Sequence, residues 1–145
     1  MFLAQSNTAV NTATSIGLGI GVMVGVLIAL VVLVFYLLTL QKALTRCSPE
    51  NRAMQPGMVW LQLIPLFNLV WQFFNVINVA KSLGAEFQKR GMGEDPQPGK
   101  TLGLVTCILF CCGIIPVLGA LCSLAGLVCW IIYWVKIAGY SNKLA

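Results

Sequence analysis

Residues 1–41 carry no charged side chain. Within them, a stretch rich in Asn, Thr, Ser and Ala (1–15) gives way to the apolar run Ile16–Leu40. As a helix, 16–40 would reach about 37 Å, enough to cross a hydrocarbon core of about 30 Å with some tilt. The run is too long, and lacks the positive lead-in, for a cleaved signal peptide. The pattern therefore predicts a first transmembrane helix.

A polar loop follows at 41–57, where Ser48-Pro49 reads as an N-cap and first-turn proline of a short surface helix, and Pro56-Gly57 ends it. Segment 58–90 has a different pattern. Pro65 predicts a break or kink. Beyond it, Asn68, Gln72, Asn75, Asn78, Ser82, Glu86 and Lys89 share an arc of roughly 120° on a helical wheel. Phe67, Leu69, Val70, Phe73, Phe74, Ile77, Leu83 and Phe87 fill the rest. This is one amphipathic helix after a kink.

Residues 91–100, GMGEDPQPGK, form a Gly/Pro-rich linker. Residues 101–135 are again uncharged, but one helix of that length would measure about 52 Å, too long for a single crossing. Pro116 and Gly119 supply a turn, which predicts a hairpin of helices 101–117 and 119–139.

Composition fixes the solvent. The chain has 145 residues, 59% hydrophobic and 9% charged, far from the roughly one quarter charged of soluble domains. With a mean hydropathy of +0.89, this much apolar surface needs lipid around it. The expected fold is all-α: a polytopic membrane bundle forming one domain over 1–145. It has either three full spans plus a Pro-kinked amphipathic segment that is re-entrant or interfacial, or four spans.

Nine Lys/Arg stand against four Asp/Glu. Basic residues collect at the cytoplasmic ends of membrane helices, so the positive balance implies lipid rather than nucleic acid. Four spans would split the nine cations three and six across the membrane. With three spans and a kinked segment that does not cross, Lys42, Arg46, Arg52, Lys81, Lys89, Arg90, Lys100, Lys136 and Lys143 all lie on one side. That favours three spans, the N-terminus outside and the C-terminus cytoplasmic. An amphipathic helix lying in the interface would use the amide arc as its wet face, although the same arc suits a bundle interior.

Two patterns are candidates for function. Ala13, Gly17, Gly21, Gly25 and Ala29 recur at four-residue spacing, a groove into which another helix backbone fits closely. It would receive either another helix of this chain or a second copy. The amides of Asn68, Gln72, Asn75 and Asn78 are costly in lipid unless partnered. They either bond neighbouring helices or line a solute path.

Other chemistry has weaker claims. The chain has no histidine, the commonest general base and metal ligand. Cys107, Cys111, Cys112, Cys122 and Cys129 lie in apolar runs, where a thiol behaves as a small hydrophobe; Cys47 lies in the loop. The stripes Gly103, Cys107, Cys111 and Gly119, Cys122, Ser123, Gly126, Cys129 read as packing faces, with no metal or cofactor. Trp130, Tyr133, Trp134 and Tyr140 around Lys136, with Tyr36 near Lys42, read as an interfacial belt. Glu50, Glu86, Glu94 and Asp95 lie in loops or near helix ends, and no nucleophile–base or paired-carboxylate arrangement emerges.

At MVWLQLIPLFNLVWQFFNVINVAKSL and WIIYWVKIAGYSNKL the chain resembles a family of small bacterial membrane proteins defined only as a domain of unknown function, over about 46–143. The resemblance implies a bacterial cytoplasmic membrane and no particular activity. The expectation is a non-enzymatic membrane scaffold or accessory subunit, in contact with the lipid bilayer. It would self-associate into a homo-oligomer or join a larger membrane complex. The alternative is an oligomeric channel lined by the amide stripe.

Overall fold

Helix runs through the uninterrupted apolar stretches, and proline and glycine mark where it stops. The computed structural model describes residues 1–93 and 95–145, with the side chains of 2–4 left aside; Glu94 lies outside the described residues. The elements are α1 (Phe2–Arg46), α2 (Asn68–Lys89), α3 (Lys100–Cys112) and α4 (Gly119–Lys143), with 3-10 segments Pro49–Asn51 and Pro56–Leu63 before α2. The fold is all-helical, with no strand among the described residues. Residues Met1–Phe35 and Tyr36–Ala145 form two compact units, taken here in turn.

The first unit is helical from Phe2 onward, so the helix begins well before the expected Ile16. The polar stretch joins it, with its hydroxyls satisfied on the preceding turn. Thr12 donates to the Thr8 carbonyl and Thr14 to the Val10 carbonyl, both at 2.8 Å. Residues 5–31 are all exposed.

In the second unit, α1 continues to Arg46 and is closed by Arg52. The Arg52 guanidinium donates to the carbonyls of Leu44 (2.8 Å), Cys47 (3.0 Å) and Thr45 (2.8 Å). A cation placed on the last carbonyls suits the negative end of the helix dipole. The expected kink at Pro65 is a full reversal. The 3-10 segment ends at Leu63, Leu66 adopts φ +68° with 97% of its surface exposed, and α2 starts at Asn68.

The hairpin differs from expectation. Its first arm ends at Cys112 rather than 117, because Pro116 has no N–H to offer the Cys112 carbonyl. At 13 residues, α3 reaches only about 20 Å, short of a membrane crossing. Two helices among the described residues, Gln5–Arg46 and Gly119–Lys143, are long and apolar enough to cross a membrane, fewer than the three or four expected.

The core of the second unit brings Tyr36, Leu37, Leu40 and Leu44 together with Val76, Val79, Leu83 and Phe87 of α2 and Tyr133 and Ile137 of α4, all fully buried. Gly103 sets the distance between helices. A Cβ there would lie 2.5 Å from Val76 Cγ1 and 2.9 Å from Tyr133 Cε2. At Gly84 a Cβ would collide with the Pro96 carbonyl, which shows how closely the linker folds back on α2.

Candidate functional site

In the first half of α2 polar residues turn into the second unit and apolar ones turn out, whereas farther along Val76, Val79, Leu83 and Phe87 are buried in the core. Gln72 and Asn75 are buried, as are Ser82 and Glu86 farther along. Leu69, Val70 and Phe74 are 40–54% exposed. That first half is the reverse of a helix in water, whose apolar stripe faces inward. Asn75 Nδ2 donates to Gln62 Oε1 at 2.6 Å and ties α2 to the 3-10 segment. Ser82 Oγ donates to the Asn78 carbonyl at 2.7 Å and accepts from the Ala53 N–H at 2.9 Å. Asn68 and Asn78 are half-buried. The amide arc is thus largely covered by the unit's own elements and is not a wet face.

The small-residue stripe behaves differently. Ala13, Gly17, Gly21, Gly25 and Ala29 are all exposed. A Cβ added at Gly17, Gly21 or Gly25 would meet nothing within 4 Å among the described residues. The stripes in the hairpin do pack. A Cβ at Gly126 would sit 3.3 Å from Leu109 Cβ and from Phe110, and one at Gly113 2.8 Å from Ser123 Oγ.

The aromatic belt is partly a core instead. Tyr36 and Tyr133 are fully buried. The Tyr36 ring lies 5.0 Å from Trp130, 6.0 Å from Trp134 and 6.5 Å from Tyr133. Trp134 Nε1 donates to Thr39 Oγ1 at 2.9 Å, and the indole is thereby satisfied away from water.

The densest polar centre gathers at Glu86, which the helical wheel places on the polar arc without showing its partners. The Glu86 side chain, 2% exposed, accepts from the Ser48 N–H (2.8 Å), Ser48 Oγ (3.2 Å), Asn51 Nδ2 (2.8 Å) and Arg90 Nε (2.9 Å). Burial pushes this carboxyl up, but the donors outweigh it and hold the group down at about 2. Ser48 does stand at the N-cap position of Pro49–Asn51, without a capping bond from its own side chain. Glu86 receives its N–H and hydroxyl instead. Arg90 reaches on to the Leu144 carbonyl at 3.2 Å. Arg46 donates to the Ser141 carbonyl at 2.5 Å and to Asn142 Oδ1 at 3.2 Å. Lys89 pairs with Glu50. The end of α1, the loop, α2 and the C-terminus are therefore knitted at one end of the unit. The sequence signal was available: a Glu four residues before an Arg on one helix face.

Cys47 lies beside this centre, 1% exposed. Burial and the Glu86 charge push its thiol up to about 11 against the partial relief of Arg52 and Arg90, so it is a poor nucleophile at neutral pH. Among the described residues no three His, Cys, Asp or Glu side chains gather as a metal would need. Comparison with family models, with curated proteins and with solved structures gave no match.

Proposed function

We propose that this chain is a non-enzymatic membrane scaffold or accessory subunit of a bacterial cytoplasmic membrane, in which the second unit forms the lipid-embedded body and the glycine stripe binds another copy. The observation that carries this reading is the exposed, unfilled row Gly17, Gly21 and Gly25. In lipid, helices associate by close backbone approach rather than by the hydrophobic effect, and a glycine row invites it.

The orientation expected from charge, N-terminus outside and C-terminus cytoplasmic, is part of the proposal. Two apolar turns refine the layout. Ile114, Ile115, Val117 and Leu118 between α3 and α4 are 50–88% exposed, and a turn emerging into water would carry polar residues. Although α4 as a whole is long enough to cross, the part of it that pairs with the short α3, from Gly119 to Tyr133 opposite Gly103, runs only about 21 Å, short of the ~30 Å core. We therefore place this hairpin, like the one turning at Leu66, inside the bilayer with both ends on the cytoplasmic side, and give α1 the one full crossing. The alternative, a solute path lined by Asn68, Gln72, Asn75 and Asn78, has less support, because Asn75 is buried and bonded to Gln62.

Sedimentation equilibrium in density-matched detergent tests the association. The native chain should form a defined oligomer, and Gly21→Leu should shift it to monomer with helicity unchanged. A native monomer, or an oligomer indifferent to Gly21→Leu, overturns the proposal.

A further inference from the structure

Along α3 runs an open groove of about 470 Å³ that nothing in the preceding account uses. Among the described residues its lining carries two opposite charges, Asp95 from the linker and Lys100 from the first turn of α3. Its floor continues along Leu104, Val105 and Ile108, down the face of the helix. Val105 and Ile108 are 41% and 54% exposed. Lys100 donates one hydrogen bond to Gln97 Oε1, at 2.5 Å, and an ammonium has two further donors to give. The Asp95 carboxylate is exposed and accepts a long bond from the Gln97 N–H at 3.4 Å.

We propose that this groove seats a phospholipid with a primary-amine headgroup. Charge complementarity selects that occupant. The phosphate meets Lys100, the headgroup ammonium meets Asp95, and an acyl chain lies along Leu104, Val105 and Ile108. A purely anionic lipid would set its charge against Asp95. A choline headgroup carries the positive charge but no N–H to donate to the carboxylate. The proposal needs the second unit in a bilayer and is independent of self-association through the glycine stripe.

Native mass spectrometry of the full chain released from nanodiscs tests it, with phosphatidylethanolamine, phosphatidylcholine and phosphatidylglycerol as the probes. Retention of phosphatidylethanolamine over phosphatidylcholine should be about fivefold, the upper end for an exposed ion pair. Asp95→Asn should abolish that preference and raise phosphatidylglycerol retention, and Lys100→Gln should weaken all three lipids. Circular dichroism confirms that both variants stay folded. Equal retention of the two zwitterionic lipids, a preference unchanged by Asp95→Asn, or phosphatidylglycerol held best by the native chain would each overturn it. So would competition by free phosphoethanolamine as strong as that of the intact lipid, because the apolar floor would then have no part.

Discussion

The Glu86 carboxylate accepts the Ser48 N–H at 2.8 Å, across 38 positions of sequence, and so caps a turn on a different element. With the Asn51 and Arg90 bonds, this makes Glu86 the point where loop, α2 and C-terminal tail meet. Among the described residues Glu86 is the one deeply buried acid, and it holds these segments together.

Stability should therefore depend on acid in a defined window. The Glu86 carboxyl is held at about 2 in the folded chain against an ordinary 4.5, so its contribution is complete above the ordinary value and disappears as pH falls toward the lower one. The shift corresponds to a contribution on the order of 3 kcal/mol. Detergent-unfolding curves of the native chain should lose that amount between about pH 5 and pH 2. Glu86→Gln should start lower and stay nearly flat over the same window. Parallel pH profiles for the two proteins would refute the role.

The amide pair should behave as glue. Asn75→Leu leaves the buried Gln62 without its donor and should cost about 1–3 kcal/mol. Gln62→Leu should cost a similar amount, and the double replacement clearly less than the sum, because two orphaned amides become two apolar side chains. A double-mutant cycle measured by unfolding checks this. Strict additivity would show that the 2.6 Å bond carries no coupling.

Gly103→Ala should destabilise the chain by about 1–3 kcal/mol, because Val76 and Tyr133 hem the site on both sides and an added methyl overpacks it. Gly25→Ala meets open space within the chain and should not destabilise the monomer, measured at a detergent dilution where the association through the glycine row is absent. A loss at Gly25 equal to that at Gly103 would contradict the packing described.

Much of this was legible in the sequence. The apolar runs announced helices, Pro65 a break before α2 though not its full reversal, and the Pro116–Gly119 region the hairpin turn. Asn68, Gln72, Asn75 and Asn78 were placed on one face by spacing alone. Which way that face turns was not legible, because a helical wheel has no inside until partners are known, and here the partner of Asn75 is Gln62 in a segment that helical periodicity does not describe. The start of α1 was missed because Thr and Ser have modest helix propensity, and their back-bonds to Thr8 and Val10 are visible only in three dimensions. The spacing of Tyr36 and its partners near a lysine predicts a belt, because it looks alike whether the rings face lipid or one another. The role of Glu86 depends on the distant Ser48 and Asn51.

The hairpin turns make a separate prediction. Single cysteines at Val117 and Leu66, in a chain stripped of its native thiols, should resist membrane-impermeant maleimide from either side of sealed vesicles. A cysteine at Asn142 should react from the cytoplasmic side. Labelling of Val117 from the outside would restore a full crossing by the hairpin.

The outward apolar faces of the second unit, Phe74 on α2, Val105 on α3 and Leu127 on α4, are the feature on which the membrane account depends. Spin labels at Phe74, Val105 and Leu127 in lipid vesicles, compared with one at Asn51, test it directly. The first three should collide freely with dissolved oxygen and be shielded from a water-soluble nickel chelate, and the Asn51 label should show the reverse. Ready access of the nickel chelate to Phe74, Val105 and Leu127 would mean that water covers these faces, and would contradict the account.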